Sequence, residues 1–196
     1  MDKKPITCYL VRHGEAENNV LHILNSYPET DTYSLTQKGR EQIVRVATHD
    51  LAEVEAEAII SSPIRRTRET AEIIAREKGL SIEFDERLRE TDFGMFNNGP
   101  IEDLLAKYPS SVGRVRTDGS DGVEDFESMR IRLKSLLHDI AEKYSGKTVI
   151  IVSHGDPLEQ LHGLLLGENV AESASGWYPK KGSCTKVVWK GAFSRS

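Results

Sequence analysis

Residues 10–19 read LVRHGEAENN, so a cation, an imidazole and a glycine stand directly after an apolar run. A second imidazole-glycine pair, His154 and Gly155, follows another apolar run, TVIIV at 148–152. Between them lies SSPIRRTRETAEII at 61–74, where two serines close an apolar stretch and Arg65 and Arg66 follow. Two His and two Arg brought to one place make a pocket for a tetrahedral dianion. Guanidinium forks grip phosphate oxygens two at a time, and helix N-termini add backbone N–H donors. Histidine can itself attack and carry a covalent group. Neighbouring Arg charges favour the neutral imidazole, which is the form that attacks. Gly14 and Gly155 each follow a His, and the missing side chain is expected to let substrate oxygens approach the backbone.

This chemistry requires the three stretches to end at one edge of one sheet. ITCYLV (6–11), AEAIISS (56–62) and KTVIIVS (147–153) read as strands, LSIEF (80–84) as a short one, and CTKVVWK (184–190) as a last strand with alternating faces. Helix signals fall between them. Thr36 is the N-cap of a helix reaching about Ala52, and Pro63 opens one that Gly79 ends. A short helical piece covers 101–107. Asp125 caps a helix whose stripe of Phe126, Met129, Leu133, Leu136, Leu137, Ile140 and Tyr144 is core packing. HGDPLEQLHGLLLG is helical. The alternation predicts an α/β fold, a three-layer sandwich with a largely parallel central sheet. Ligands of such sheets bind outside the carboxyl ends of the strands. His13, Ser62 and His154 all stand there. The stretch 88–123 is rich in Gly and Pro and reads as a small loop-rich lid within a single domain spanning 1–196. Its glycines suggest an open or mobile cover.

The 196 residues carry a formal net charge of −5, which excludes a typical basic nucleic-acid surface. A local cluster of Arg still suits a small anionic substrate. Two cysteines, Cys8 and Cys184, form neither a disulfide framework nor a zinc site. They read as buried free thiols in a reducing compartment. No signal peptide is visible, and LHGLLLG at 161–167 is too short to span a bilayer. The expectation is a cytoplasmic protein without membrane or nucleic-acid partners, a monomer or homodimer. No H-E-x-x-H or paired Cys supports a metal, and no G-x-S-x-G supports a serine hydrolase. SGKT at 145–148 is similar to part of a phosphate-binding loop, but the Gly needed four residues earlier is absent.

Taken together, these segments resemble the histidine phosphatase superfamily, also called the phosphoglycerate-mutase-like family. The resemblance covers most of the chain. LVRHGEAENN is similar to the family's opening signature, DTYSLTQKGREQ to the segment that follows, and SSPIRRTRETAEII to its second motif. RLRETDFGMF and VSHGDPL supply the remaining two. The resemblance implies a phosphoglycerate mutase-like fold, no cofactor and a small phosphorylated substrate. It makes His13 the phosphoryl acceptor, Glu90 the proton donor and His154 the second histidine, and it makes Arg12, Arg66 and Asn19 phosphate ligands, with Asn18 beside Asn19. The sequence departs from the family at Thr67, at Asn97 and Asn98, and at DGVEDF (121–126), none of which is a matched catalytic position.

Several of these residues also have an ordinary structural reading. His22, His49, His138 and His162 lack such neighbours and read as structural or solvent-facing. Arg65 and Arg68 read as a solvated helix face. Arg114, Arg116 and Lys107 serve solubility at least as readily as a distal substrate charge. Glu86 and Asp92 stand close to Glu90. The expected activity is a metal-independent phosphomonoester phosphatase working through phosphohistidine. The alternatives are a phosphoglycerate mutase with the same residues and a non-catalytic binder of phosphorylated ligands. A mutase needs a closing cover. The chain's end at GAFSRS, soon after the last strand, favours a hydrolase.

Overall fold

The computed structural model describes residues 4–29 and 32–190. Five strands form one sheet in the order β3-β2-β4-β1-β5. They are β1 (Ile6–Arg12), β2 (Ala58–Ser61), β3 (Ile82–Phe84), β4 (Thr148–Ser153) and β5 (Cys184–Trp189). The first four run parallel, and β5 joins β1 antiparallel. The two central strands carry the longest apolar runs because both their faces are covered. Every residue of β2 and all but the first of β4 are buried.

Helices fill both faces. On one, Ile6, Cys8, Leu10, Val149 and Ile151 meet α5 (Phe126–Lys143), α6 (Gly155–Leu166) and α7 (Val170–Ser175). On the other, Val11, Ile59, Ile150 and Val152 meet α2 (Gln37–Arg45), its π-helical continuation Val46–Asp50, and α3 (Arg65–Lys78). This is the expected three-layer sandwich. Thr36 and Asp125 are N-caps as read, their side chains accepting from the Gly39 and Ser128 amides. Gly79 and Gly167 end α3 and α6 in the left-handed conformation that glycine tolerates. Two short helices, α1 (Glu17–Val20) and α7, gave no periodic signal, since neither exceeds two turns. Cys8 is buried and Cys184 half-buried, both free, and burial pushes each thiol up to about 12.

The 88–123 excursion differs from the open, loop-rich cover that its glycines suggest. It has its own small core of Phe93, Leu104, Tyr108 and Val123, shared with Leu24 from the loop after α1. The helix α4 (Ile101–Lys107) stands at its centre. Gly94 has φ +51°, and a Cβ there would lie 2.2 Å from the Asp121 carbonyl oxygen. The glycine permits a close backbone approach, so it tightens the turn. Asn97 and Asn98, two of the departures from the family pattern, fasten the excursion. The Asn97 side chain accepts from the Ser26 amide at 2.9 Å, and the Asn98 amide donates to the Leu24 carbonyl at 2.9 Å. The closing GAFSRS lies outside the described residues. Among the described residues, no helix is long and apolar enough to cross a membrane.

Gly14 also serves packing. A Cβ on it would stand 2.4 Å from the Gly39 carbonyl oxygen, and one on Gly39 would stand 1.9 Å from the Glu15 carbonyl oxygen. The loop after β1 and the first turn of α2 thus interlock backbone to backbone. Gly39→Ala is expected to lower stability by about 1–3 kcal/mol or more, since neither backbone can yield cheaply. A fall in the urea midpoint with unchanged slope is the measurement that checks it.

Candidate active site

Three strand ends deliver the predicted residues to one place. Arg12 is the last residue of β1 and His13 the next; His154 follows β4 and caps α6; Arg66 lies in the first turn of α3, just past β2. The rings of His13 and His154 sit 5.3 Å apart, edge to face. The excursion supplies Glu90 from a loop clamped to the sheet, where Ser153 Oγ donates to the Leu88 carbonyl at 2.6 Å and Ser26 Oγ to that of Glu90 at 3.2 Å. A cavity of about 470 Å³ opens over this floor.

His13 is buried and its tautomer is set by its partners. Nδ1 lies 2.7 Å from the Gly14 carbonyl oxygen, which only accepts, so Nδ1 carries the proton. Nε2 accepts from Arg66 Nε at 3.2 Å. Burial, then the Arg66 and Arg12 charges, hold His13 well below the usual imidazole value. The ring is therefore neutral, with its lone pair on Nε2.

Arg66 is 2% exposed. Its Nη1 and Nη2 donate to Asn25 Oδ1 and to the Asn25 carbonyl, each at 2.8 Å. Burial lowers it to about 10, so it keeps its charge at neutral pH. His154 is wholly buried. Its Nε2 is 2.9 Å from Ser62 Oγ, and its Nδ1 faces Glu90 Oε2 at 4.0 Å. Burial and Arg66 hold this ring, too, well below the usual value. Arg12 donates from Nη1 to the Pro179 carbonyl at 2.8 Å and stacks over Tyr178 at 5.2 Å. Gly155 has no side chain because a Cβ would stand 2.0 Å from the Tyr178 hydroxyl. Like Gly14 it makes room for protein.

Three buried polar atoms lack a hydrogen-bond partner among the described residues: Arg12 Nε, Asn18 Oδ1 and His154 Nδ1. All belong to this site. Buried polar groups are ordinarily paired, so the floor presents polar atoms that the protein itself leaves to another molecule. Asn19 lines the cavity, but its Oδ1 accepts from the Ala16 amide at 3.1 Å and holds the start of α1. Asn18 is the more deeply buried of the two.

Glu90 is buried, and its carboxyl is pushed up to about 7, first by burial and then by the Asp156 charge. Sequence reasoning passed over Asp156, which sits two residues after His154 inside VSHGDPL. It accepts from both arms of Arg114, from Thr91 Oγ1 at 2.7 Å and from the Tyr178 hydroxyl at 3.2 Å. Burial works to raise Asp156; Arg114, Thr91 and Tyr178 outweigh it and hold the carboxyl low. Two acids in one pocket are thereby pushed apart, the pattern that separates an acid from a charge carrier. Arg114 is thus buried and paired. Arg116 and Lys107 pair with Glu127 and Asp121, both at distances below 3 Å. Asn25, Tyr178 and Lys181 were also missed. The last two lie in the loop before β5, which carries no motif.

Among the described residues, no group of three or more His, Cys, Asp or Glu could hold a metal ion. The floor fits a tetrahedral anion held by guanidinium and imidazole, and the mutual placement suits phosphoryl transfer.

A parallel sheet with this set of groups at its carboxyl edge defines a phosphate-handling α/β enzyme. The chain belongs to the histidine phosphatase superfamily (branch 1), whose pattern it matches over residues 8–194. It is similar to phosphoserine phosphatase 1 of Hydrogenobacter thermophilus, 29% identical over 83% of this chain and 77% of that one. It is also similar to a probable phosphoglycerate mutase, GpmB, of Escherichia coli, 35% identical over 81% of this chain and 74% of that one. Among solved structures, Bacillus stearothermophilus YhfR superposes with a TM-score of 0.78 at 28% identity, covering 92% of this chain and 90% of that one. A mycobacterial glucosyl-3-phosphoglycerate phosphatase, solved with VO3, shares the fold with a TM-score of 0.78 at 24% identity over 92% and 91%.

The Asp156–Arg114 pair sets the field at Glu90. Asp156→Asn removes the neighbouring negative charge, so the Glu90 carboxyl, followed by 13C NMR, is expected to titrate lower. Arg114→Met removes a positive charge and is expected to move it higher. Each single change strands a buried partner and is expected to cost about 3–5 kcal/mol in denaturant unfolding.

Proposed function

We propose that the chain hydrolyses phosphomonoesters through a phosphohistidine intermediate on His13 Nε2, without a metal. The observation that carries this reading is the His13 ring itself: neutral, proton on Nδ1, lone pair on Nε2 facing the Arg66 guanidinium, with the Arg12 charge also bearing on the ring. A pure phosphate binder needs no such nucleophile and no acid held near neutrality.

In the first step Nε2 attacks phosphorus and the bond to the ester oxygen breaks. Glu90, protonated in part at neutral pH, gives its proton to that oxygen. Arg12, Arg66 and His154 hold the equatorial oxygens and stabilise the charge spread over them. Asn18 and Asn19 complete the polar rim. In the second step the Glu90 carboxylate takes a proton from water, whose oxygen attacks phosphorus. The P–N bond breaks, and inorganic phosphate and neutral His13 are restored. The groups that carry the charge are arginines, so the step requires no Lewis acid. The excursion 88–123 acts as the cover of the site within a single domain.

The names of the Escherichia coli relatives favour a second reading, a mutase that returns the phosphoryl group to its substrate. Such an enzyme must exclude water between its two transfers. Phosphate release from 3-phosphoglycerate, compared with isomerisation primed by 2,3-bisphosphoglycerate, separates the two. Isomerisation in large excess selects the mutase.

Turnover is expected to place alkali-stable, acid-labile label on the chain, and His13→Ala to abolish it. Label on serine or aspartate overturns the mechanism. Glu90→Gln is expected to slow alkyl phosphates by about 10²–10⁴-fold and p-nitrophenyl phosphate much less, because that leaving group needs no proton. Equal losses remove Glu90 from the role. For alkyl esters, kcat/KM is expected to fall as pH rises through the Glu90 value of about 7. It should hold on the acid side to well below 6.5, since His13 stays neutral there. Activity should survive prolonged chelation; loss restored by one divalent ion contradicts the reading.

A further inference from the structure

The cavity runs on from the phosphate end into a chamber beneath the excursion, and the chamber's walls show what kind of leaving group fits. Ile23, Phe93, Ile101, Leu104, Leu105 and Tyr108 line it. Phe93, Leu104 and Tyr108 belong to the excursion's own core, so this apolar surface is held in place. The Tyr108 hydroxyl is turned away to Asp121 at 2.8 Å. Ser110 and Ser111 add hydroxyls to the lining, with Ser111 bonded to Glu159.

The charges near the chamber are already neutralised. Arg114 is forked onto Asp156, and Lys107 lies 2.8 Å from Asp121. His22 at the rim faces Glu102 at 3.8 Å, and that carboxylate opposes an incoming anion. Arg12, Arg66 and Lys181 stand at the other end, and the Lys181 charge bears on His13 and Arg12. A carboxylate or second phosphate seated against that apolar wall would lose hydration there, since Lys181, which also lines the cavity, lies toward the Arg12 end. That loss is unfavourable. An apolar body gains with every buried methylene. A chamber within a cavity of about 470 Å³ has room for a group well beyond a two- or three-carbon acid.

We propose that the substrate is the phosphomonoester of an uncharged alcohol or phenol with an apolar body, seated against Ile23, Leu104, Leu105 and Tyr108, and that phosphorylated acids, amino acids and bisphosphates are poor substrates. This rests on the hydrolase reading above.

The test uses esters whose leaving oxygens are alike, so that binding and not leaving-group reactivity is read. The kcat/KM of ethyl, butyl and hexyl phosphate is measured beside O-phosphoserine and 3-phosphoglycerate, with p-nitrophenyl phosphate as a general probe. The expected rise is about fourfold per methylene through the series, with hexyl phosphate ahead of both acids by more than tenfold. Leu105→Glu and Leu105→Ser are each expected to reduce the hexyl-to-ethyl ratio, the charged variant more; ethyl phosphate turnover reports that the variants are folded. A flat series, an unchanged ratio in both variants, or either acid outrunning hexyl phosphate overturns the inference alone, provided that p-nitrophenyl phosphate is turned over through His13. No turnover of any ester overturns the hydrolase reading and this inference with it.

Discussion

The site depends on keeping the Arg66 guanidinium charged where almost no water reaches it. A buried cation is tolerated only if its donors are used and opposite charge is near. Asn25 takes two of its N–H groups, the His13 lone pair takes a third, and Glu90 lies within its field. The benefits are reciprocal. The same charge denies a proton to His13 and to His154, and it tempers the rise of Glu90. The neutral state of both rings thus follows from burial together with this one charge, and Glu90 is raised against it by burial and Asp156.

The second organising device is the unequal partnering of two neighbouring acids. Asp156 holds Arg114, Thr91 and Tyr178 and stays charged; Glu90 receives a single backbone N–H, from Thr91 at 3.0 Å, and is charged only in part at neutral pH. Thr91 touches both acids, through its amide on one side and its hydroxyl on the other. The carboxyl with few partners is the one left able to exchange a proton near neutrality.

The frame of the site was legible in the sequence. Apolar runs ending in Arg-His-Gly, Ser-Ser-Pro and Ser-His-Gly mark three strand ends, and local signals at Thr36, Gly79 and Asp125 mark the helices between them. Those signals act over a few residues, and a sequence shows them directly. What stayed hidden depends on partners distant in the chain. Asp156 looks like one acid among many until Arg114 is folded over it. Asn25 carries no pattern, yet it holds Arg66. Gly14 and Gly155 were read as openings for substrate, but the residues they admit are Gly39 and Tyr178. The glycines of the excursion were read as slack, and Gly94 is in fact a point of closest backbone contact. A glycine in a sequence signals that space is needed without saying for what.

The link between cover and catalyst has a bearing on descent. Asn98 in the excursion accepts from Asn25 Nδ2 at 3.2 Å, and the same Asn25 holds Arg66. The excursion, which follows β3 and covers the site, is therefore wired to the site's buried cation. Single wall residues such as Leu105 can be exchanged without touching this link. Wholesale replacement of the segment would have to bring its own fastening for the arginine, which confines the inheritable variation to grafts that respect one amide.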